Sequence, residues 1–175
     1  CSSDLLPHPP DLAIDDDFVR ASEVATALRP IDAESLRVSF YTSGSTGAPK
    51  RIVRTLAMLQ HEVAALQAAF GSVGAGGRVI STVGHHHLYG LTFKLLWPLS
   101  AGRPFSTDTH EYWEAVFAAH PGRGIVVSSP AHVARLGGLR PLPTTQQPAA
   151  IFCAGAPLSA ASAHSARDIL GVLPI

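Results

Sequence analysis

Strands alternating with helices predict an α/β fold: a mostly parallel sheet layered with helices. Two features of the sequence predict it most directly. "GIVVSS" (124–129) and "PAAIFCAG" (148–155) are short, near-continuous apolar runs, as expected of strands buried on both faces. Leu56, Leu59, Val63, Leu66 and Phe70 recur at three- and four-residue steps, the period of a helix laid against such a sheet.

The elements follow in order. The first 34 residues, rich in Pro and Asp, read as an irregular lead-in with a short helix near 18–28. From Arg37, "RVSFYT" alternates and is rich in β-branched and aromatic residues, so it reads as a strand, and "RIVRT" (51–55) gives a second. Thr55 is placed to cap the helix that follows, and Gly71 to end it. "RVISTV" (78–83) is a further strand running into a loop at His85, His86 and His87. "GLTFKLLW" (90–97) predicts a short apolar helix stopped at Pro98. "GRPFST" (102–107) predicts a strand, and residues 110–119 a helix. Pro130 opens a short helix after the strand at 124–129, and the last helix, 159–170, closes at Gly171. The final residues, "GVLPI", read as the lead into one more strand.

Composition narrows the function. Formal net charge is zero with both signs scattered, so nothing points to nucleic acid or a membrane surface as partner. No apolar run approaches the roughly 18 residues of a membrane span. Cys1 and Cys153 do not make a disulfide framework, which points to a reducing, cytoplasmic compartment. A cysteine at position 1 leaves a lipid-anchored start as an alternative.

The stretch "YTSGSTGAPK" (41–50) concentrates the chemistry. It follows a strand, and its glycines let backbone N–H groups turn inward toward an anion. Thr42, Ser43, Ser45 and Thr46 add hydroxyl donors, Gly44 and Gly47 add backbone freedom, and Lys50 adds a point charge. Hydrogen bonds to a charged partner contribute about 1.5–3 kcal/mol each, so four or five would hold a polyphosphate. The Walker pattern does not fit. Lys50 follows Pro49, Arg51 stands where a magnesium-binding hydroxyl would, and a strand rather than a long helix comes next. A ligand-free serine–glycine surface loop is the plain alternative.

"YTSGSTGAPK" resembles the signature loop of the adenylate-forming superfamily: acyl- and aryl-CoA synthetases, peptide-synthetase adenylation domains and firefly luciferases. The resemblance implies that Thr42, Ser43, Gly44, Ser45, Thr46, Gly47 and Lys50 hold the β- and γ-phosphates of ATP while a carboxylate attacks the α-phosphorus. Two more stretches agree in order. "HHHLYGL" resembles the family's second motif, which implies that His86, His87, Tyr89 and Gly90 border the acyl pocket. A shared metal on the three histidines is disfavoured on an extended segment, where neighbours point to opposite sides. "IFCAGAPLS" resembles the family's strand and small-residue turn, which implies that Ala154, Gly155, Ala156 and Pro157 lie beside the adenine and the activated acyl group. Cys153 replaces the common serine there and reads as a small buried filler. "VVSSPAHVARL" (126–136) also resembles the family's strand–Pro–helix segment along the substrate tunnel.

By this resemblance residues 35–175 form part of the large N-terminal AMP-binding domain. The catalytic residues, the ribose anchor, most ligands for Mg2+ and the mobile small domain are expected beyond Ile175, so the 175 residues alone are expected to be inactive. The implied activity is ATP-dependent activation of an aryl or fatty acid as its acyl-adenylate, then transfer to a thiol of coenzyme A or of a carrier-protein phosphopantetheine. The competing class is a truncated, non-catalytic module that binds nucleotide or a carrier protein. No metal held by this stretch itself is expected.

Overall fold

The computed structural model describes residues 30–42, 50–119 and 122–175. These belong almost entirely to one unit, Ala33–Ile175. The expected lead-in helix at 18–28 and the loop Ser43–Pro49 lie outside the described residues.

Strands β1 (Arg37–Thr42) and β2 (Lys50–Thr55) form an antiparallel ribbon. Helix α1 (Leu56–Phe70) follows at once, its first turn capped as expected: Thr55 Oγ1 accepts from the Met58 N–H at 3.2 Å. Its far end differs. Gly71 is right-handed, with φ −59°, rather than the left-handed glycine of a typical cap. The buried Arg103 guanidinium donates instead to the carbonyls of Gly71, Val73 and Gly74, placing a cation where the helix leaves its carbonyls unpaired. The same guanidinium lies 5.3 Å from the Trp97 ring centroid.

The central sheet is parallel, in the order β4–β3–β5–β6, built from β3 (Val79–Ser81), β4 (Phe105–Thr109), β5 (Ile125–Ser128) and β6 (Ala150–Cys153). Ile175, at the end of "GVLPI", exchanges backbone hydrogen bonds with Ile151 and Cys153 at 2.8 and 2.9 Å, the pairing a next parallel strand would make. Alternate strand residues feed two cores. Ile80, Val126 and Ile151 face α4 (Trp113–Ala119), α5 (Pro130–Val133) and α6 (Ala160–Leu170). Val79, Ile125, Val127 and Phe152 face α1 and the helical run after β3. The sheet is covered on both faces, as its apolar strands predict.

Right-handed crossovers explain this distribution. The chain steps from β3 outward to β4 across one face, then back past β3 to β5 and β6 across the other. The direction of winding therefore reverses between β3 and β5.

The helical run between β3 and β4 departs most from expectation. It starts at α2 (Leu88–Gly90), widens to a π-helical turn over Leu91–Leu96, and continues as α3 (Trp97–Ser100) through Pro98 instead of stopping there. Proline lacks an N–H and its ring presses on the carbonyl one turn back. The widened turn just before it takes up that conflict. Strand β4 also starts later than its sequence suggests. A register irregularity places Val79 beside Phe105 but Ser81 beside Thr109.

Phe152 anchors the second core, meeting the rings of Phe70, Phe93 and Trp97 at centroid distances of 5.0, 5.2 and 5.6 Å. Phe152→Ala is expected to cost about 3–5 kcal/mol in urea denaturation. Gly171→Ala, at a left-handed cap with φ 80°, is expected to cost about 1 kcal/mol.

Candidate active site

In open α/β sheets ligands bind beyond the carboxyl ends of the strands, where winding reverses. A cleft of about 740 Å³ opens there, over the ends of β3 and β5. Its floor is held by buried hydroxyls. Thr82 Oγ1 and Ser128 Oγ share a hydrogen bond at 2.9 Å, and Ser81 Oγ donates to the Val83 carbonyl at 2.8 Å and the Val127 carbonyl at 3.2 Å. Small hydroxyl residues ending two apolar strands were the available sequence signal, and sequence reasoning missed them.

His86, His87 and Tyr89, from the loop after β3 and from α2, line this cleft together with Ala154 and Gly155 after β6. Two motifs far apart in sequence thus meet in one concavity. Gly90 sits beneath rather than in the wall. It is buried, and a side chain there would strike the Gly84 carbonyl, so its smallness lets the histidine loop close onto α2. Gly155 has φ +103°, and a Cβ built on it would meet nothing within 4 Å. Glycine is required there by backbone conformation, and the space above it is open to a ligand. Ala156 and Pro157 follow as exposed residues and do not line the cleft.

The histidines occupy a turn rather than the extended segment the sequence suggests. The His86 and His87 rings lie 4.1 Å apart, centroid to centroid, so the two are not on opposite sides. Among the described residues no three metal-ligating side chains cluster. Partial burial lowers the His87 pKa from its ordinary 6.5, and the charge of His86 lowers it further. Burial pushes the phenol of Tyr89 up, with a smaller push from Cys153, and so keeps it protonated. The Tyr89 hydroxyl is buried without a well-formed hydrogen bond, although the Ser128 backbone lies on its polar side. Burial also raises the Cys153 thiol, consistent with its filler reading rather than with a nucleophile.

From "VVSSPAHVARL", the stretch that resembles the family's tunnel segment, Ser129, His132 and Arg135 line the cleft. Ser129 Oγ and His132 Nδ1 are 3.1 Å apart. On the far side the wall comes from Thr109, Glu111 and Tyr112 after β4, which nothing in the motifs marked.

For the phosphate loop the structure describes its two ends. The ribbon places Thr42 directly opposite Lys50, so its strands bring together the residues flanking Ser43–Pro49. A different cleft, of about 600 Å³, lies at the amino ends of the strands among glycines and Arg78 and Arg123. None of the residues expected from the motifs lines it.

Residues 3–175 match the AMP-binding enzyme family. The chain belongs to that family. A 4-coumarate–CoA ligase of Rhodobacter capsulatus is 35% identical over 135 residues, 76% of this AMP-binding chain and 34% of that protein. A 4-coumarate–CoA ligase of Halorhodospira halophila is 30% identical over 112 residues, 64% of this chain and 28% of that one. Among solved structures, ATP-bound MatB from Rhodopseudomonas palustris superposes with a TM-score of 0.75 at 19% identity, covering 90% of this chain and 32% of that one. A benzoate CoA ligase from Burkholderia xenovorans gives 0.71 at 18%, with the same coverage. This AMP-binding chain therefore spans about a third of the length of these relatives and carries part of their fold.

The lowered His87 pKa generates a pH prediction. The folded state favours neutral His87, so it binds fewer protons than the unfolded chain as pH falls through 6.5. Stability is expected to fall with acidification below that point. The His87 imidazole signals are expected to titrate in NMR with a midpoint below 6.5, and His132, whose pKa burial also lowers, should do the same.

Proposed function

We propose that this chain supplies the phosphate loop and acyl-binding wall of an ATP-dependent carboxylic acid–thiol ligase. One observation carries the reading: the second motif (His86, His87, Tyr89) and the small-residue turn (Ala154, Gly155) converge on a single cleft at the winding reversal.

In the proposed reaction a carboxylate oxygen attacks the α-phosphorus of ATP. The bond to the bridging oxygen breaks, pyrophosphate leaves and an acyl-adenylate forms. A thiol then attacks the acyl carbon and AMP departs. The loop from Thr42 to Lys50 holds the β- and γ-phosphates through hydroxyls, backbone N–H groups and the Lys50 charge. Neutral His87 and protonated Tyr89 border the acyl group and orient it without placing a fixed charge beside the carboxylate. The open space above Gly155 admits the flat base and the mixed anhydride. Mg2+ would neutralise phosphate charge on bound ATP, and among the described residues no three metal-ligating side chains cluster to hold it. The 175 residues alone are proposed to lack turnover.

An aryl acid is the favoured substrate and coenzyme A the favoured thiol, since the two relatives at 30% identity or more are 4-coumarate–CoA ligases. A fatty acid and a carrier-protein phosphopantetheine are the alternatives.

Carboxylate-dependent ATP–pyrophosphate exchange tests the proposal on the full-length gene product and on the 175-residue chain in parallel. Exchange by the full protein and none by the chain is expected. Thr46→Ala and Lys50→Ala in the full protein are each expected to lower exchange by about 10²-fold or more, the loss typical of one transition-state donor. His85→Ala is expected to leave it within about threefold, because His85 does not line the cleft. Equal losses from all three would contradict these roles, and silence across aryl, fatty and amino acids would favour a non-catalytic binding module.

A further inference from the structure

Lys94 is unusual: a lysine only 2% exposed, inside the π-helical turn, on a run that is apolar apart from Thr92. A buried ammonium persists only where something compensates its lost hydration. Here its Nζ donates to Thr109 Oγ1 at 2.8 Å, and Asp108 lies close enough to oppose the effect of burial on its charge. Both partners stand at the end of β4.

The direction of that hydrogen bond matters. An ammonium can only donate, so the Thr109 oxygen accepts and its own proton must point elsewhere. Thr109 is exposed and lines the cleft, and the irregular β3–β4 register sets it level with Ser81 at the carboxyl edge of the sheet. Its proton is therefore available to the cleft, and a cation behind the oxygen strengthens it as a donor. Glu111, two residues on, lines the same wall and when ionised can only accept. A hydroxyl group on a ligand satisfies both, accepting from Thr109 and donating to Glu111. Strand β4 lies three strand spacings from β6, or about 14 Å, so this wall stands well away from Gly155.

We propose that Lys94 is a positioning residue for the Thr109 hydroxyl, and that Thr109 with Glu111 selects an acid carrying a hydroxyl group at the end remote from its carboxylate. This rests on the ligase reading above and specifies the substrate class of the same cleft.

The test uses the full-length protein and three phenylpropenoic acids that differ only in a para hydroxyl, methoxyl or hydrogen, followed by pyrophosphate exchange. The wild type is expected to favour the hydroxyl acid over the unsubstituted one by at least about tenfold in kcat/KM, the fold-change that one net hydrogen bond supplies. Lys94→Met and Thr109→Val should each cut that preference below about threefold, through the KM for the acid. Their kcat, and their KM for ATP, should stay near wild type, and Thr109→Ser should keep the preference. A merely structural Lys94 would instead lower kcat and both affinities together, or lower only the melting temperature, and either result overturns the proposal. So does a preference that survives in Thr109→Val, the variant that retains the buried ammonium. Exchange with other acids but none of these three sinks this inference alone, whereas no exchange with any acid sinks the ligase reading beneath it.

Discussion

The pairing of β3 with β5 is the constraint on which the rest of this structure depends. The chain winds away from β3 in one direction, returns, and winds away in the other, so these two adjacent strands lead into loops that diverge. The divergence creates the cleft. The ladder alone would hold the strands, but Thr82, Ser128 and Ser81 add side-chain hydrogen bonds at its carboxyl end. Each contributes about 0.5–1.5 kcal/mol net. More importantly they satisfy polar atoms just where the sheet stops and the loops begin, and so give the cleft a fixed floor. The apolar residues before them, Val79, Ile80 and Ile125–Val127, bury the same pair from both sides.

Much of this was legible in the sequence because local physics decides it. The strands announce themselves through apolar β-branched runs, α1 through its cap Thr55 and α6 through its closing Gly171. The order of elements alone implied a two-faced parallel sheet. The cleft residues His86, His87, Tyr89, Ala154 and Gly155 were visible because their motifs are distinctive; their convergence was not visible, because it depends on strand order.

What stayed hidden depends on partners distant in sequence. Gly71 keeps a right-handed conformation where Arg103, 32 residues on, serves the helix end. Pro98 fails to stop its helix because the preceding turn widens, and the same widened turn carries Lys94, which meets Thr109 15 residues on. The β4 irregularity that sets Thr109 level with Ser81 leaves no trace in composition. The histidine loop read as extended because a turn among three histidines has no glycine or proline of its own to signal it, while the tight approach is provided by Gly84 and Gly90 on either side. Apart from Gly71 and Arg103, each failure involves a residue that either borders the cleft or shapes what borders it, which is where local preference is expected to yield to function.

We propose that the cleft over β3 and β5, not the glycine–arginine cleft at the opposite ends of the strands, receives the activated acyl group. Photocrosslinking tests it most directly, using an acyl-sulfamate analogue of the adenylate with a photoreactive acyl chain on the full-length protein, and mapping adducts by mass spectrometry. Adducts are expected within His86–Tyr89 or at Ala154 and Gly155, suppressed by excess ATP. Adducts in Ser72–Arg78 or Gly122–Gly124, or labelling that ATP does not suppress, would contradict it.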